Sequence, residues 1–209
     1  SLSEISQIAG RAGRHINDGS FGITGECKEL SSTEIEKLEN HKLNKIDLLY
    51  WRNSELDFDS VNHLVASLEK KTNNELLKRI NDCEDEKMLK FFIKNNKDLN
   101  SELSKSFVKT LWECCQIPDF SKKAYGKHIE IVKKVYEFLT SKEGKVTNAY
   151  MKKQLEYLDK YDGNIDTLAN RISSVRTWSY VANKKDWSSN SDYWIERTKY
   201  IEDKLSDKL

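Results

Sequence analysis

Apolar residues recur at helical spacing through most of this chain, and they predict one amphipathic helix after another. Asp59 stands before Val61, Leu64, Val65 and Leu68, a stripe at i, i+3, i+4, i+7 with Asp59 as its expected cap. Further stretches run over 84–95, 101–115, 122–140, 146–160, 164–183 and 190–207. Pro118, the chain's single proline, breaks one pair of these, and Asp162-Gly163 marks a turn before the last two long helices. In those two, Leu168, Ile172, Val175, Trp178 and Ala182 make one apolar stripe, and Trp194, Thr198, Ile201 and Leu205 another. Ser1-x-x-Glu4 and Ser31-x-x-Glu34 both have the form of a capping box and open helices at the first residue and at residue 31, the second with Ile35 and Leu38 on one face. The first stretch reads differently. Ile5, Ile8, Ala9 and Ala12 predict a buried helix face, Asp18-Gly19 a turn, and Ser20 to Gly25 a short strand. Five of the chain's eight glycines lie between Gly10 and Gly25. The fold class expected is mainly α: helical domains that follow the last helix and strand of an α/β lobe.

Composition changes this picture little. The 209 residues suit one or two domains, and 37% hydrophobic residues supply an ordinary core. A formal charge of +1 gives no global basic signature, so nucleic-acid binding would have to come from local patches. The cysteines at 27, 83, 114 and 115 lack C-x-x-C spacing, which fits a reducing compartment and small core or surface thiols. No apolar run approaches the ~18 residues of a membrane span, so no membrane partner is expected.

The candidate chemistry is concentrated in Gln7-Ile8-Ala9-Gly10-Arg11-Ala12-Gly13-Arg14. On a continuous helix Gln7, Arg11 and Arg14 fall within an arc of about 60°. Guanidiniums carry a permanent charge and a planar fork that matches phosphate oxygens, so this face suits polyphosphate. Gly10 and Gly13 weaken a helix, which implies a close backbone approach or a helix end. Gly126-Lys127 and Gly144-Lys145 lack the remainder of a phosphate-binding loop. Asp85-Glu86-Lys87-Met88 follows a polar run rather than an apolar strand, and reads as the solvated start of a helix.

The octet resembles the sixth conserved motif of superfamily-two helicases, which sits on the second RecA-like lobe and faces ATP. Leu49-Tyr50-Trp51-Arg52-Asn53-Ser54-Glu55-Leu56-Asp57-Phe58 resembles the W-R-N-x-x-L-D-F segment of bacterial relatives of the mitochondrial degradosome RNA helicase. Leu168 to Asn183, Asp186-Trp187, Trp194 and Ile201 to Asp207 are similar to the C-terminal domain of the same group. Residues 72–160 match no motif of it. The resemblance implies an ATP-dependent helicase acting on an RNA or DNA single strand, with Arg11 and Arg14 as arginine fingers and Gln7, Gly10 and Gly13 at the nucleotide. ATP with Mg2+ would be held mainly by sequence preceding Ser1, so the chain is expected to be a C-terminal piece without hydrolysis of its own. The implied domains are 1–27, the end of the second lobe; 28–160, a helical region; and 161–209, the family's C-terminal helical domain. A ribonuclease is the implied protein partner, and the implied location is bacterial cytoplasm or, in a eukaryote, the mitochondrial matrix.

In the tail, Trp178 and Trp194 read as core that locks two helices together. The competing reading sets Tyr180, Trp187 or Tyr193 beside Arg171, Arg176, Lys184 and Lys185 as a surface for single strands. His41, His63 and His128 are spread over separate helices without partners at metal-ligand spacing, so no metal is expected, and His15 follows Arg14 as a loop residue or a nucleotide contact. A non-catalytic helical scaffold module is the alternative for the whole chain.

Overall fold

The computed structural model describes residues 1–13, 18–43, 45–81, 83–95, 103–121 and 125–209. Arg14 and His15 lie outside the described residues. The chain is mainly helical. Its helices are α1 (Leu2–Ala9), α2 (Ser32–Glu39), α3 (Val61–Glu69), α4 (Glu84–Asn95), α5 (Lys105–Cys115), α6 (Tyr125–Thr140), α7 (Asn148–Leu158), α8 (Ile165–Asn183) and α9 (Ser191–Lys208). The strands β1 (Leu49–Trp51) and β2 (Leu77–Arg79) form a two-stranded sheet.

Two compact units result: 1–50 with 74–78, and 51–73 with 79–209. In the first, both expected capping boxes form. The Ser31 hydroxyl accepts from the Glu34 N–H, and the Glu34 carboxylate accepts from the Ser31 N–H at 2.8 Å; the same pair closes at Ser1 and Glu4. Two expectations fail here. The Ile5, Ile8, Ala9, Ala12 stripe is not buried: Ile8 is 70% exposed and no residue of α1 is buried. A helix of eight residues packs here on its equally short neighbour α2 and buries little by doing so. Residues 20–25 form no strand either. They run without regular structure into a turn at Gly25, where Cys27 N donates to Thr24 O at 3.3 Å. Alternation of residue types cannot make a strand where no ladder partner is at hand.

The second unit holds most of the core. Leu64, Leu68, Met88, Leu89, Val108, Leu111, Met151, Val175, Trp178, Ile201 and Leu205 are all essentially inaccessible. α4 packs on α5 and α5 on α6, while α7, α8 and α9 pack on one another. Both tail stripes are buried in full, as expected: Leu168, Ile172, Val175, Trp178 and Ala182 on α8, and Trp194, Thr198, Ile201 and Leu205 on α9. Trp194 Nε1 donates to Asn148 Oδ1 at 3.0 Å, and Phe138, Tyr150 and Trp178 form a chain of ring contacts at 5.0 and 5.7 Å. Pro118 follows the end of α5, and its carbonyl accepts from Thr177 Oγ1 at 3.1 Å, so the break also ties α8 down. Gly163 turns the chain into α8 with a φ of 130°, a conformation side chains rarely take.

Three further expectations are corrected in this unit. Ser60, not Asp59, caps α3, its hydroxyl accepting from His63 N at 3.1 Å; Asp59 pairs instead with Lys105 at 2.7 Å. Asp85-Glu86 does begin a helix but is not solvated. Glu86 is 4% exposed, its Oε2 2.7 Å from Arg79 Nη2 and its Oε1 3.6 Å from Arg52 Nε, while Arg52 Nη1 donates to Asp85 at 2.9 Å. A carboxylate survives burial there because two guanidiniums face it. Nor is His63 without a carboxylate partner: its Nδ1 is 3.8 Å from Asp57 Oδ2.

Candidate functional site

Within the first unit, α1 stops before the octet is complete. Gly10 caps the helix in a right-handed conformation, its N–H bonding to Ser6 O at 2.8 Å. Arg11 N and Ala12 N then reach only three residues back, to Ile8 O at 3.1 Å and Ala9 O at 2.9 Å, so the last turn is tightened and the helix ends. Gln7 on the helix and Arg11 just past it are exposed, and Arg11 makes no ion pair among the described residues. Arg11 therefore lies beyond the helix rather than on it, Arg14 lies outside the described residues, and the second meaning of the glycines applies at Gly10. Gly13 is half-buried, and the chain folds back upon it: a Cβ on Gly19 would lie 2.2 Å from the carbonyl carbon of Ala12 and 2.4 Å from Gly13 N. Only glycine fits at that point. The arrangement can present a guanidinium and an amide to an anion in solution.

The tail candidates lie in the second unit and do not form one basic surface. Arg171 Nη1 donates to Lys160 O at 2.7 Å and also to Asp162 O, clamping the loop between α7 and α8. Arg176 Nε donates to Glu202 Oε1 at 2.7 Å across α8 and α9. The Lys184 ammonium lies over the rings of Tyr180 and Trp187, at 5.1 and 5.8 Å. Lys185 is exposed and makes no ion pair among the described residues. Of the aromatics weighed as stacking partners, Trp187 is buried, Tyr180 half-buried and Tyr193 exposed.

Two cavities in the second unit are not marked by any motif of the sequence. One, of about 420 Å³, opens beside Arg52, Asp85, Cys115 and His128. His128 Nε2 sits 3.0 Å from Ile117 O, and burial above all holds its pKa below the ordinary 6.5. Burial likewise pushes the Cys114 and Cys115 thiols up, which leaves both unreactive. The other is a cleft of about 400 Å³ between the start of α6, the end of α7 and one side of α8. Its floor is Thr167, Asn170, Arg171, Ser174 and Thr177, a polar stripe at helical spacing beside the apolar one. That second periodicity was visible in the sequence and is the signal that could have found it. Asp57, Asp59 and His63 also lie close enough to share a cation, but all three are exposed.

No family model matches the chain, and no curated protein or solved structure matches it either.

Proposed function

We propose that this chain is the C-terminal part of an ATP-dependent superfamily-two helicase of the degradosome type, acting on an RNA or DNA single strand. The observation that carries the reading is the octet: Gln7 and Arg11 stand exposed where α1 ends at Gly10, and Arg11 is not spent on a carboxylate among the described residues. In the whole enzyme Arg11 and Arg14 would meet the negative charge that develops on the γ-phosphoryl group, with Gln7 orienting the nucleotide or the attacking water. ATP and Mg2+ would be bound mainly by preceding sequence. The helical unit would close over the translocating strand and dock a ribonuclease.

A scaffold role has its own support. Leu49 and Tyr50 on β1 and Leu76 just before β2 are 57%, 74% and 65% exposed, a group of apolar side chains left open to solvent. ATP turnover separates the two. In the full-length protein, Arg11→Ala should lower RNA-stimulated hydrolysis by about 10³–10⁵, and Arg11→Lys should rescue it poorly because a point charge lacks the fork. Near-normal turnover of Arg11→Ala under saturating ATP and RNA would exclude the finger role. The isolated 209-residue chain should hydrolyse no ATP above an Arg11→Ala/Arg14→Ala control.

A further inference from the structure

Building on the helicase reading, we infer that the cleft between α6, α7 and α8 binds the phosphate of a nucleotide, with Arg171 and Lys127 as its cations and Asn170 as a further donor in the lining. The charge of the lining favours an anion. In the lining, Lys127 and Arg171 face one carboxylate, Asp119, whose Oδ1 already accepts from the Ser121 N–H at 3.0 Å and the Ser121 hydroxyl at 2.7 Å; the exposed Asp162 carboxylate, outside the lining, lies 3.9 Å from Arg171 Nη1 and partly offsets its charge. His128, held neutral by burial, adds no charge near pH 7.

Arg171 is pre-organised. Both hydrogen bonds of its guanidinium leave from Nη1 to the carbonyls of Lys160 and Asp162, while Nε and Nη2 take no acceptor among the described residues. A guanidinium pinned by one nitrogen keeps its remaining edge for a forked contact with an oxyanion, and little side-chain entropy is then lost on binding. Asn170 makes no side-chain hydrogen bond among the described residues, so its amide is available as a donor beside that edge. The hydroxyls play a different part. Ser174 donates to Asn170 O at 3.0 Å and Thr177 to Pro118 O at 3.1 Å, so both face the cleft with lone pairs only. Lone pairs repel phosphate oxygens but receive a sugar hydroxyl or a base N–H. Tyr157, 72% exposed on the α7 wall, gives a ring on which a base can stack. An anion joined to hydroxyl and N–H donors and a flat ring describes a nucleotide, and about 400 Å³ is room for one.

The nucleotide has two sources, a unit of a single strand or a free monophosphate, and binding assays with labelled oligouridylate and with uridine monophosphate separate them. Asn170→Asp keeps the side-chain shape and replaces a donor with a carboxylate. It should weaken oligouridylate binding at least about tenfold without moving the melting temperature. Lys127→Ala, at an exposed position, should flatten the log–log salt slope by about 0.7. Lys199→Ala, at an exposed position outside the cleft, is the reference. Should Asn170→Asp unfold, the Lys127→Ala slope decides alone. Strand binding that survives both cleft variants unchanged overturns the inference and leaves the helicase reading standing. Monophosphate binding abolished by Asn170→Asp, in a protein that ignores oligouridylate, upholds the cleft and removes the strand from the reading. Failure of the wild-type chain to bind either probe overturns the cleft.

Discussion

His128 shows how one buried titratable side chain ties stability to pH. Its ring is buried against the loop after α5, and its pKa is held below the ordinary 6.5 by burial, with Asp119, the Ile117 carbonyl and Glu84 pulling weakly the other way. A histidine depressed in the folded state binds its proton more readily when unfolded. Its contribution to stability is therefore complete above the unfolded pKa and drains away as pH falls from 6.5 towards the folded value. Compared with His128→Gln, the wild-type chain should lose melting temperature progressively between about pH 7 and about pH 5. Parallel melting curves against pH for the two proteins would rule this out. The same residue scale explains why Glu86 could not be read correctly. A D-E pair after a polar run looks solvated, and only folding brings Arg52 and Arg79, far apart in sequence, against one carboxylate.

At the scale of elements, α3 separates two residues that propensity cannot rank. Asp59 and Ser60 are both good caps, yet Ser60 holds the His63 N–H while Asp59 reaches across to Lys105. Ser60→Ala should cost about 1 kcal/mol in urea denaturation. Asp59→Ala should leave the denaturation midpoint almost unmoved, because its ion pair is exposed and screened. The reverse order would mean that the cap has been misassigned. Long helices were legible because their stripes are long: α8 and α9 match the expected 164–183 and 190–207 to within a residue or so, and α4 matches 84–95. The strand expected at residues 20–25 was not, because strands depend on partners distant in sequence. Gly19 owes its place to contact with Ala12, which no periodicity encodes. The candidate site divides likewise. Arg171 was named from the sequence as a phosphate contact beside aromatics, but its two carbonyl partners come from a loop that only the turn at Gly163 brings near.

For the whole molecule, thiol reactivity reports how the core is closed. Cys27 is exposed and Cys83 half-buried, whereas Cys114 and Cys115 are buried. Native protein should react with a thiol reagent at Cys27 first, and at Cys114 and Cys115 only as fast as the second unit opens. Modification of Cys114 at the rate of Cys27, followed by peptide mass mapping, would show that this core is open. The small sheet bears on how the chain can be divided. Leu49 N donates to Leu76 O at 2.9 Å within the first unit, and Ile80 N donates to Trp51 O at 2.9 Å within the second. The second unit is consequently not a continuous stretch of sequence, and no single cut releases it. A protein begun at Trp51 would retain residues 74–78 but lose Leu49, the donor to the Leu76 carbonyl, and so bare a sheet edge beside the exposed Leu76 that invites another chain to pair.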